Sequence, residues 1–97
     1  MSWSIYFHPG VEKDFKRIDS AQHEKILIAI EEKLSSEPTK FGKQLRKPFN
    51  KYRSLRVSKY RVIYEVIRDK VRVLVLKVGI RRDFEVYKEL FSRLRKT

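Results

Sequence analysis

The sequence predicts an α+β fold in the order β-α-α-β-β-β-α, with a helical hairpin and a C-terminal helix packed on a mostly antiparallel four-stranded sheet. Three observations carry this. Apolar residues recur at helical spacing between residues 11 and 35 and again after residue 83, whereas they alternate between residues 53 and 78. Two short polar pairs, Ser58-Lys59 and Asp69-Lys70, cut the alternating stretch and have the length of hairpin turns. The 97 residues include three Gly, three Pro and no Cys, which fits one domain over residues 1–97 and excludes disulfide scaffolds and thiolate sites.

Taken in order, Ser2–His8 alternates Trp3, Ile5 and Phe7 against Ser2, Ser4 and Tyr6, as a strand does. Pro9 suits the first turn of a helix, and Val11, Phe15 and Ile18 then form its apolar side. Asp19 or Ser20 caps a second helix that runs to about Ser35 with a stripe of Leu27, Ile30 and Leu34 flanked by Ile26. Residues 39–51 read as a loop, punctuated by Gly42, Pro48 and Asn50. Strands are expected at Arg53–Val57, Tyr60–Ile67 and Val71–Val78. In the last of these Val71, Val73, Val75 and Lys77 face away from Arg72, Leu74, Leu76 and Val78. Both its faces turn apolar near the end, so it is expected inside the sheet. Gly79 ends it, Asp83 caps, and a final helix carries Phe84, Tyr87, Phe91 and Leu94.

Charge is the loudest feature. The formal net charge is +12, and its distribution is uneven. Residues 1–37 hold five Lys or Arg against seven Asp or Glu, a net −2, while residues 38–97 hold nineteen against five, a net +14. No acid separates Glu37 from Glu65, yet nine basic residues lie between them. Such a surface repels itself until an anion covers it, and nucleic acid or an acidic partner protein fits that need. The longest apolar run, Ile26 to Ile30, is far short of the roughly 18 residues that span a bilayer. The N-terminus lacks the pattern of a signal peptide, so a cytoplasmic protein is expected.

Arg53 and Arg56 on one strand, Arg61 on the next, Arg81 and Arg82 after the third, and Tyr87 on the last helix are expected to converge at one end of the sheet. Guanidinium groups bind phosphate oxygens in pairs, and an aromatic ring stacks on a base. The alternative is that the arginines are solvated strand ends and Tyr87 is a core residue. His8 is expected to be structural, His23 to lie on an exposed helix face, and Trp3 to pack. Glu12, Asp14, Glu24, Glu31 and Glu32 are expected to be helix-surface charges paired with lysines.

Three segments together carry a resemblance. Leu55-Arg56-Val57-Ser58-Lys59-Tyr60-Arg61-Val62-Ile63-Tyr64 resembles the L-R-V-G-x-Y-R-V-I-Y pattern of RelE/ParE-superfamily toxins. Val78-Gly79-Ile80-Arg81-Arg82-Asp83-Phe84-Glu85-Val86-Tyr87 is similar to their V-G-x-R-x-x-x-x-V-Y ending, and Phe7-His8-Pro9 with Lys13-Asp14-Phe15-Lys16 to their usual start. The resemblance implies the toxin of a toxin–antitoxin pair, with a cognate acidic antitoxin as partner. For the RelE-like branch it implies a metal-independent endoribonuclease without cofactors, cleaving mRNA in the ribosomal A site. There the ribose 2′-hydroxyl attacks the adjacent phosphate.

By motif position, the resemblance makes Arg61, Arg81 and Tyr87 catalytic and has Arg56 hold the RNA backbone; Lys51, Arg53, Lys59 and Arg82, as parts of the basic clustering, are expected to bind RNA as well. The chain departs from the RelE pattern in lacking lysines just before the L-R step, where Tyr52, Arg53 and Ser54 stand, and in having Ile80 where many relatives have His. A base must then come from Lys51, Tyr87 or Glu65. Two other functions fit the resemblance or the charge: a ParE-like inhibitor that binds DNA gyrase, and a non-catalytic RNA-binding protein.

Overall fold

The computed structural model of the chain describes residues 2–80 and 85–95. The elements are β1 (Ser4–Phe7), α1 (Val11–Lys16), α2 (Ser20–Ala29), β2 (Lys43–Gln44), β3 (Arg53–Val57), β4 (Tyr60–Ile67), β5 (Arg72–Ile80) and α3 (Glu85–Arg95). The sheet has the order β1-β5-β4-β3-β2, with β1 parallel to β5 and every other pair antiparallel. The α+β class and element order match the expectation, but the sheet has five strands. The extra one, β2, lies in the segment read as a loop. Two residues are too few to show alternation, and the strand exists because β3 offers it a free edge.

The Asp19 side chain caps α2 by accepting the Gln22 amide at 3.0 Å. Beyond Ala29 the helix loosens into a π-helical turn, Ile30–Leu34. The buried stripe is Ile26, Ile30 and Leu34, while Leu27 is exposed. Leu27 was expected inside; the helix is rotated so that Ile26 takes its place. His23 is half-buried rather than exposed, because its ring stacks on Phe15 at 4.1 Å. Strand β5 is flanked on both sides, as its apolar faces predict, and continues through Gly79 to Ile80.

The sheet separates two cores. On one face Val11, Ile26, Ile30 and Leu34 meet Leu55, Val62, Tyr64, Val73, Val75 and Val78. On the other, Val86 and Leu90 of α3 meet Ile63 and Leu76, with Leu45, Phe49 and Tyr52 packed alongside. Strict alternation along β5 fails at one place. Ile63 pairs with Lys77 and Tyr64 with Val75, so Leu76 is an inserted residue. The bulge turns Val78 to the same core as Val73 and Val75, contrary to the expected parity.

Asp14 is the largest departure from expectation. Expected as a surface charge, it is 4% exposed. Strand β1 stops at Phe7, and its partner edge on β5 would be bare beyond the His8–Val75 hydrogen bond. The Asp14 carboxylate accepts the Val78 amide at 3.0 Å, and Arg93 donates to the Leu76 carbonyl at 2.8 Å. Arg93 also grips Asp14 through two nitrogens at 2.8 and 2.9 Å, and Lys77 reaches it at 2.8 Å. Side chains thus replace the missing strand and tie α1 to α3. A Cβ on Gly10 would sit 2.4 Å from the Arg93 guanidinium, so a larger residue there would have to displace this contact.

Candidate functional site

The two-residue turn Ser58-Lys59 sets the register of β3 on β4, with Ser58 at φ 55°. Arg56 therefore lies directly opposite Arg61, and Ser54 opposite Ile63. All four lie on the α3 side of the sheet, where the short strand β2 brings Lys43 opposite Ser54. From α3, Tyr87 meets this row: the Arg61 guanidinium lies 5.1 Å from its ring centroid, and Arg61 Nη1 donates to the Tyr87 hydroxyl.

Lys43, Ser54, Arg56, Arg61 and Tyr87 line a cleft of about 530 Å³, together with Lys40, Phe41, Gly42, Leu45 and Leu55. Among the described residues that line it, four are cationic and none is a carboxylate. Charges of one sign in a concave surface concentrate the potential there and attract a polyanion. Phe49 supports the wall by packing on Tyr87 at 6.0 Å and edge-on to Phe91 at 6.4 Å.

The opposite wall is fixed from below. Tyr64 is fully buried, with its hydroxyl 2.7 Å from the Pro38 carbonyl oxygen and 2.6 Å from that of Phe41. Burial pushes its pKa up, against a smaller opposing effect of Arg53, so the hydroxyl keeps the proton it shares with these carbonyls. Arg53 Nη2 donates to the Thr39 and Gly42 carbonyls at 2.8 and 2.9 Å. Gly42 adopts φ +76°, and a Cβ there would meet the Tyr64 hydroxyl at 2.5 Å. The segment that carries Lys40, Phe41 and Lys43 is thus held at several points.

Of the residues expected to act together, Arg56, Arg61 and Tyr87 converge on the cleft. Arg53 does not line it and instead binds the supporting carbonyls. Lys51 sits outside, 3.6 Å from Glu65, and Lys59 lies over the Tyr60 ring at 5.6 Å. Arg81 and Arg82, with Asp83 and Phe84, lie outside the described residues. Sequence reasoning missed Lys40, Phe41, Lys43 and Ser54. The register of the hairpin, countable from its turn, would have placed Ser54 beside the arginines; nothing local announced β2.

His8 is structural, as expected. Its Nδ1 accepts the Gly10 amide at 3.0 Å, and burial, reinforced by the Arg93 charge, lowers its pKa. Trp3 packs against the first core, also as expected. No helix among the described residues is long and apolar enough to cross a membrane.

Residues 5–83 match the family model of the ParE toxin of type II toxin–antitoxin systems, parDE. The chain is 32% identical over 94 residues to the mRNA interferase toxin RelE of Escherichia coli, covering 97% of this chain and 99% of the relative. An arginine double mutant of E. coli RelE, solved in complex with a peptide of the antitoxin RelB, superposes with a TM-score of 0.68 at 32% identity. That match covers 92% of this chain and 94% of the other. The RelBE toxin–antitoxin complex from Mycobacterium tuberculosis contains a chain that shares the fold, with a TM-score of 0.80 at 24% identity, covering 86% of this chain and 95% of that one. By its sequence motifs, its family match and its fold, the chain belongs to the RelE/ParE family of toxins of type II toxin–antitoxin systems.

Proposed function

We propose that this toxin is an mRNA interferase that cleaves messenger RNA on the ribosome. The observation that carries the reading is the cleft in which Arg56 and Arg61 lie side by side against Tyr87, with no carboxylate among the described lining residues. The 2′-hydroxyl attacks the adjacent phosphorus, the bond to the 5′-oxygen breaks, and the products are a 2′,3′-cyclic phosphate and a 5′-hydroxyl. Arg61 donates to the phosphoryl oxygens, whose charge grows in the transition state; Arg81, from its motif position, does the same. Arg56 holds the neighbouring phosphate. Tyr87, oriented by Arg61, stacks on the nucleotide and takes part in proton transfer. Of Lys51, Glu65 and Tyr87, only Tyr87 lines the cleft, which favours it for that role. The partner is an acidic antitoxin, consistent with the +12 charge of the chain and with the antitoxin complexes of its relatives.

The family model that matches is that of ParE, which supports a second reading, inhibition of DNA gyrase by binding. The two separate cleanly. Incubated with ribosomes programmed with mRNA, the purified toxin is expected to give fragments ending in a 2′,3′-cyclic phosphate, and to leave gyrase supercoiling unaffected. Intact mRNA with blocked supercoiling establishes the second reading instead. Intact mRNA that is nonetheless bound reduces the protein to an RNA-binding module.

A further inference from the structure

We propose that residues 40–43 form a second nucleotide subsite, where Phe41 stacks on the base next to the cleaved position and Lys43, with Lys40, holds its phosphate. The inference rests on the RNA-cleaving reading and names a part of the substrate that the arginine row does not reach.

Phe41 is an apolar ring left 37% exposed in the wall of a cationic cleft. Lys33 Nζ lies 5.7 Å from its centroid, Lys40 beside it in the chain is paired with Glu37 at 3.6 Å, and Lys43 is exposed opposite Ser54. A ring among amines is the chemistry of single-stranded nucleic-acid binding, since every base has a face to stack and a phosphate to hold. The ring also needs little ordering. Tyr64 and Arg53 already fix the Phe41 and Gly42 carbonyls, so binding costs little backbone entropy.

Ser54 adds a second, independent observation. It is 9% exposed and lines the same cleft, and its hydroxyl has no hydrogen-bond partner among the described residues. Buried hydroxyls are normally bonded, and a ribose or phosphate oxygen would supply the missing partner. The cleft volume of about 530 Å³ also leaves room beyond the arginine row for more than one group of the substrate.

The test is single-turnover cleavage on programmed ribosomes, using mRNA with an intact base or an abasic residue on either side of the cleavage position. An abasic residue at one of these positions is expected to raise the toxin concentration for half-maximal rate about tenfold for the parent protein. Phe41→Ala should raise it about tenfold on intact mRNA and add nothing on the abasic one. Phe41→Tyr should restore the parent value, and circular dichroism should show both variants folded. Cleavage by the parent with Phe41→Ala unchanged, or with the two losses multiplying, overturns the subsite and leaves the cleavage reading standing. Absence of cleavage by the parent overturns the cleavage reading, and the subsite with it.

Discussion

Two groups of cations on this sheet have opposite surroundings. At the outer edge of β5, Lys77 and Arg93 have side chains 4% and 14% exposed, and both are bonded to Asp14, with Glu89 on Lys77 as well. Across the sheet, Lys43, Arg56 and Arg61 line a cleft with no carboxylate among its described lining residues, and Lys40 there meets Glu37 in an exposed pair at 3.6 Å. The residue types are the same; what differs is whether a buried acid folds in beside them. Where the acid is internal, the cations close a gap in the sheet. Where it is missing, the site is complementary to an anion supplied from outside.

The largest effect should come from breaking the internal group. Asp14→Ala leaves Arg93 and Lys77 without their shared carboxylate and uncovers the Val78 amide. Removing one partner from a buried ion pair costs about 3–5 kcal/mol, so urea unfolding should show a loss of that order. A loss under about 1 kcal/mol would mean that the edge of β5 is held by its apolar contacts alone.

A smaller effect should appear with pH. Burial alone would raise the Asp14 pKa, but hydrogen bonds from Arg93, Lys77 and the Val78 amide outweigh it and lower the value. Lys77 likewise lowers that of Glu89. His8 is lowered by burial and by Arg93, so its protonated form is disfavoured in the folded chain. In all three cases the unfolded chain holds the proton more tightly, and stability falls with falling pH. The His8 part begins below the ordinary value of 6.5, and the carboxylate part follows as pH drops through the ordinary values of 4.5 and 3.8. Unfolding curves between pH 8 and 3 should show both steps. His8→Gln should flatten the upper one, and Asp14→Asn should weaken the lower one.

Turn lengths and alternation are local, so strands β3 to β5 and the meeting of Arg56 with Arg61 follow from counting along one hairpin. The Asp14 cluster joins residues 63 and 79 positions apart, and Asp14 sits on a short helix among ordinary surface charges. Its burial is fixed by where β1 stops, which no local pattern encodes. The same holds for Leu27, whose place inward or outward depends on the rotation of α2 against the sheet, and for β2, whose partner fixes it. Arg53 illustrates parity: it neighbours Ser54 in sequence, yet its guanidinium serves the supporting loop.

The most direct test of the account is one variant measured twice. Arg61→Ala removes a cation from the cleft and touches none of the Asp14 contacts. Single-turnover cleavage of mRNA on programmed ribosomes should fall about a hundredfold, the loss expected for one donor to a transition-state oxyanion. In the same protein, urea unfolding should shift by less than about 1 kcal/mol, as for a partly exposed side chain outside the core. Undiminished cleavage, or a loss of cleavage matched by a loss of folding, would contradict the assignment of this cleft to the reaction.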